Sequence, residues 1–139
     1  MHNAIEFDPA IGAAVRSGAD YARELGHTSL GTEHLLLGFL RTNRDLFLHS
    51  TNSEISELIL AKLRHAPPID PGHELPVTPA VVRALSLPVP NVQVTARPVV
   101  TMEDVVLAMI DDTSSLAGTV LRSLGIISRE DFIAYPDRK

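Results

Sequence analysis

The chain repeats itself. "FDPAIGAAV" from Phe7 resembles "VTPAVVRAL" from Val77, an offset of 70 positions. The same offset lays "GTEHLLLGFL" from Gly31 onto "TMEDVVLAMI" from Thr101, and Leu46 onto Leu116. A constant spacing across three blocks marks a duplicated unit whose copies bury their apolar faces against one another. With only 139 residues, both copies have to share one core. We divide the chain into a first copy over residues 7–65, a linker over 66–76 and a second copy over 77–135.

Periodicity predicts that each copy is helical. Ile11, Val15, Gly18, Ala22 and Leu25 recur every three or four residues, the stripe of an amphipathic helix from Pro9 to Leu25. Asp8 is its expected N-cap, Pro9 its first helical residue and Gly26 its stop. A more apolar helix is expected from Thr32, a capping residue, to Arg41. A short helical piece over Asp45–His49 and a helix capped by Ser53 and running through Leu63 bring the copy to about four helices. "HAPPIDPGHELP", His65 to Pro76, is the break between copies. The second copy should hold helices from Thr101 to Asp111 and from Leu116 to a stop at Gly125. Pro88, Pro90 and Pro98 forbid a long first helix there, so Leu87 to Val99 is predicted to be non-helical. With aromatics at 4% and no tryptophan, the core must be Leu, Val, Ile and Ala, and the fold class all-α.

Several functions are excluded. A net charge of −5 without a basic stripe argues against nucleic acid. No apolar run approaches the roughly 20 residues that cross a bilayer, so no membrane partner is expected. "MHNAIEFDPA" has no signal-peptide pattern, and a cytoplasmic protein is expected. Without cysteine there is no disulfide, zinc–thiolate site or thiol nucleophile. No His-x-x-x-His pair and no Gly-x-Ser-x-Gly elbow appears, so neither a metal nor hydrolase chemistry is expected. Asp111 and Asp112 are the carboxylates of a solvated helix end rather than a dyad. The chain is expected to need no cofactor and not to be an enzyme.

"ARELGHTSLGTEHLLLGFLR", the Thr-Pro-Ala opening of the second copy and the "LRSLGI" helix end together resemble the Clp repeat domain. This is the N-terminal domain of Clp unfoldases of the ClpA and ClpC type, and the likeness is strongest over residues 9–41 and 101–126. It implies an eight-helix, pseudo-twofold domain that binds client and adaptor proteins. In ClpC-type members it also implies recognition of phosphorylated arginine. No Gly-x-x-x-x-Gly-Lys-Ser/Thr phosphate loop occurs, so the chain is not the ATP-driven motor. A stand-alone Clp-repeat protein or an excised domain is expected, monomeric or weakly dimeric, with a Clp unfoldase among its partners.

The resemblance carries the ligand site onto Gly31, Thr32, Glu33 and His34. Glu33 would take the guanidinium, while the Thr32 hydroxyl and first-turn N–H groups would take the phosphate. From the residues alone, Thr32, Glu33 and His34 read as an ordinary helix start, and it is the resemblance that raises the ligand site beside that reading. In the second copy Thr101 and Glu103 mark a weaker site. Met102 and Asp104 stand beside them, and Thr101 with Asp104 makes a capping box. A competing expectation is a regulatory or small-molecule-sequestering protein with both sites silent.

Overall fold

A computed structural model describes residues 6–88 and 99–134. In chain order these form β1 (Glu6–Phe7), α1 (Pro9–Glu24), α2 (Thr32–Thr42), α3 (Asn52–Lys62), α4 (Pro79–Ser86), β2 (Val99–Val100), α5 (Met102–Asp111), α6 (Leu116–Ser123) and a 3-10 turn (Arg129–Asp131). Most of the segment expected to be non-helical, Leu87 to Val99, lies outside the described residues. Six α-helices stand among the described residues, where about four per copy were expected.

Local chemistry explains the helix ends. The Asp8 carboxylate accepts from the Ala10 N–H at 3.0 Å, capping α1 ahead of Pro9. Gly26 and Gly125 follow α1 and α6 at φ +75° and +79°, the left-handed conformation that favours glycine. α3 starts two residues earlier than expected: Thr51, not Ser53, is its cap, in a box with Glu54.

α2 touches each of the other five α-helices among the described residues. Eight of its eleven residues are buried, which is what an almost wholly apolar helix requires. Leu35, Leu36, Leu37 and Phe39 join Val105, Val106 and Met109 of α5 in one core. α1 crosses α2 so closely that a Cβ on Gly18 would come 2.5 Å from the His34 carbonyl oxygen. A Cβ on Gly38 would collide with the Ala14 carbonyl.

The copies exchange their leading strands. Phe7 pairs in parallel with Val100, and Leu30 pairs in parallel with Val77, the same two contacts displaced by the repeat offset. The Asp8 N–H donates to the Val100 carbonyl at 2.9 Å, and the Thr78 N–H donates to the Leu30 carbonyl at 3.0 Å. The linker is fastened to the end of α1, where the Leu25 and Arg23 carbonyls accept from the Ala66 and Ile69 N–H groups, each at 2.9 Å.

Asp45–His49 is not a helix. Phe47 bridges Phe132 instead, the rings 4.9 Å apart, and the Leu48 N–H donates to the Asp131 carbonyl at 2.9 Å. A backbone committed to the C-terminal segment cannot also close a helical turn. Buried Asn52 holds this loop: its Oδ1 accepts from the Leu46 N–H, and its Nδ2 donates to the Leu40 and Asn43 carbonyls. Asn52→Ala strands one donor and two acceptors, so chemical unfolding should show a loss of about 2 kcal/mol.

Candidate functional site

The expected ligand residues gather at the start of α2, but they do not all face outward. Gly31 is the N-cap, in extended backbone, and Thr32 is the first helical residue rather than the cap. The Thr32 side chain turns inward: the residue is 3% exposed, and its hydroxyl accepts from Ser115 Oγ at 2.9 Å. This corrects the expectation that the hydroxyl meets a phosphate, because the buried Ser115 ahead of α6 already holds it. What Thr32 retains for a ligand is its N–H. Among the described residues, the N–H groups of Thr32 and Glu33 have no acceptor, as the first turn of a helix requires.

Glu33 folds back over Gly31. A Cβ at Gly31 would meet the Glu33 carboxylate, so glycine makes room for that rotamer. The half-buried carboxylate therefore lies beside the unpaired amides. An anion receptor and a cation receptor share one turn.

His34 serves from below. Its Nδ1 lies 2.8 Å from the Gly31 N–H and its Nε2 lies 2.6 Å from His27 Nδ1, while His27 Nε2 lies 2.6 Å from the Arg64 carbonyl oxygen. A backbone N–H only donates and a carbonyl only accepts, so the protons are assigned in sequence. His34 accepts on Nδ1 and donates from Nε2 to His27 Nδ1, and His27 donates from Nε2 to Arg64. Both rings are neutral. Burial, and then the neighbouring His27, push the His34 pKa down to about 4 from the ordinary 6.5. Both nitrogens of His34 are engaged, so its ring orients Gly31 rather than touching a ligand. His27 was not singled out in the sequence for this role, because it lies seven residues before His34 and outside α2.

The second-copy residues form a different arrangement. Thr101 and Asp104 make the expected capping box, with N–H bonds of 2.9 and 3.2 Å. Glu103 and Asp104 then grip Arg129, at 3.3 and 2.8 Å. Burial opposes the charge on Asp104, yet the Thr101 N–H and the Arg129 guanidinium together hold its carboxyl below the usual carboxylate range. Nothing near Glu103 in the sequence announces Arg129, which arrives through the turn after α6.

A model of the Clp repeat (R) N-terminal domain matches residues 6–124. The chain is 30% identical over 110 residues to the ATP-dependent Clp protease ATP-binding subunit ClpA homolog of Cyanidium caldarium. That match covers 76% of this chain and 13% of the relative, so the chain spans a small part of that protein's length. The N-terminal domain of the caseinolytic protease associated chaperone ClpD from Arabidopsis thaliana superposes with a TM-score of 0.66 at 22% identity. It covers 86% of this chain and 87% of that one, a likeness of fold. No helix among the described residues is long and apolar enough to cross a membrane. With the family match running from β1 to the end of α6, this chain belongs to the Clp repeat N-terminal domain family.

Proposed function

We propose that the chain is a non-enzymatic recognition module of Clp proteolysis, working in the cytoplasm and binding client or adaptor proteins through phosphorylated arginine at the start of α2. The observation that supports this most is the Glu33 carboxylate folded over Gly31, next to the unpaired N–H groups of Thr32 and Glu33. Phosphoarginine joins an anion to a guanidinium, and this turn offers a receptor for each. Thr32 contributes its amide, and His34 holds Gly31 in place. At Glu103 a guest guanidinium has to displace Arg129 first, which makes the second site the weaker one.

Calorimetric titration with free phosphoarginine tests the assignment. Wild-type protein should bind it, while plain arginine and inorganic phosphate bind far more weakly, since each engages one receptor only. Glu33→Ala should weaken binding at least tenfold while changing stability by less than about 1 kcal/mol. Glu103→Ala should change binding little. The commitment of the Thr32 hydroxyl to Ser115 favours a second reading, a regulatory or small-molecule-sequestering Clp-repeat protein with silent sites. Absence of saturable phosphoarginine binding at millimolar ligand selects that one.

A further inference from the structure

The two copies hold their N-caps by different chemistry. At the start of α5 the Thr101 N–H donates to the Asp104 carboxylate at 2.9 Å. At the start of α2 the Gly31 N–H donates to Nδ1 of His34, the residue that the repeat offset matches to Asp104, at 2.8 Å. A carboxylate accepts in either orientation, but it sets a negative charge against the first turn, where it competes with an incoming anion. A neutral imidazole closes the same bond without that charge. It does so in only one of its two tautomers, the one that leaves Nδ1 bare. A group outside α2 has to select that tautomer.

His27 is that group. Three links run from the Gly31 N–H to His34, from His34 to His27 and from His27 to the Arg64 carbonyl, at 2.8, 2.6 and 2.6 Å. The Gly31 amide supplies one hydrogen and each neutral ring another, one for every link, so the two tautomers are interlocked. The Arg64 carbonyl draws the His27 proton to Nε2 and bares its Nδ1. That nitrogen in turn draws the His34 proton to Nε2 and bares Nδ1 for Gly31. His27 is itself pinned from two sides. Its N–H donates to the Ala22 carbonyl in α1 at 2.8 Å, and Ala66, just beyond Arg64, donates to the Leu25 carbonyl at 2.9 Å. Between them the chain runs so close to the linker that a Cβ on Gly26 would come 2.5 Å from the Pro67 carbonyl oxygen.

We propose that His27 is a positioning residue for the ligand turn of α2: by fixing the His34 tautomer it keeps the N-cap on a neutral acceptor and leaves the first-turn amides to an anion. The proposal rests on the phosphoarginine reading of that turn. Leucine and asparagine are close in size, but only asparagine carries an oxygen where His27 Nδ1 accepts. His27→Leu strands the buried His34 Nε2–H, and the other tautomer would set Nδ1–H against the Gly31 N–H, so neither serves both ends. That variant should bind phosphoarginine about tenfold more weakly and exchange its Gly31 amide hydrogen about tenfold faster, while His27→Asn should stay within about twofold of wild type in both. Nitrogen-15 NMR of the rings should find the His34 proton on Nε2 in wild type and in His27→Asn, and shared between both nitrogens in His27→Leu. A wild-type His34 ring protonated on Nδ1 overturns the proposal, as do Leu and Asn variants that match in affinity and in Gly31 exchange. A wild type without saturable phosphoarginine binding overturns the ligand reading alone, and the tautomers and Gly31 exchange then decide whether His27 sets the turn. If His27→Leu does not fold, the wild-type tautomer and the affinity of His27→Asn decide.

Discussion

Gly38→Ala should lower the melting temperature by roughly 10 °C, a loss of about 3 kcal/mol for one added methyl group. The new Cβ would be driven into the Ala14 carbonyl and would come 2.9 Å from the Gly18 nitrogen. Both obstacles are backbone in the middle of α1, so no side-chain rotation relieves the clash and the helices must separate. Separation costs dispersion contacts along the most extensive helix pair in the molecule. The second copy supplies the control: Ala108 occupies the matching position, and Ala108→Gly should cost only the roughly 1 kcal/mol of helix propensity. Calorimetric melts of the two variants separate a steric cost from a propensity cost.

Acid should weaken the fold well before carboxylates protonate. His34 is neutral in the folded protein, with a pKa of about 4, and an unfolded histidine titrates near 6.5. The unfolded chain therefore takes up the proton first. Stability is fully present above pH 6.5, falls as the pH drops toward 4, and levels off below that with respect to this group. The loss by pH 4 is about 2–3 kcal/mol. A proton on Nδ1 would face the Gly31 N–H, so the neutral ring is demanded by geometry as well as by burial. Glu54, Asp104, Asp112 and Asp131 have carboxyls held below their ordinary values of 4.5 and 3.8. Their contributions disappear only at still lower pH. Urea unfolding between pH 7.5 and 4.5 should thus show a slope that His34→Gln removes; an equal slope in that variant would assign the loss elsewhere.

What could be foreseen from the residues is what depends on near neighbours in the chain. Asp8 with Pro9, Gly26, Gly125 and the Thr101–Asp104 box all act within one turn, and each is where the sequence places it. The repeat was visible because both copies retain the apolar spacing of α2 and α5. Partnerships between distant positions were not visible. Phe47 abandons a helical turn for Phe132, Thr32 yields its hydroxyl to Ser115, and Glu103 takes Arg129. At the candidate site the Gly31–Glu33 adjacency could be read directly. The role of His34 could not, since it rests on His27, seven residues earlier and outside α2.

The exchanged strands give the molecule the character of an assembly. Phe7 on Val100 and Leu30 on Val77 are one contact written twice, the signature of an isologous interface between two protomers. The chain between the two copies accordingly acts as a tether that turns association into an intramolecular event. Neither half carries a complete interface of its own. Because the tether guarantees pairing whatever the two halves look like elsewhere, their outer faces are free to diverge, which is how one copy can keep Glu33 open while the other closes Glu103 with Arg129.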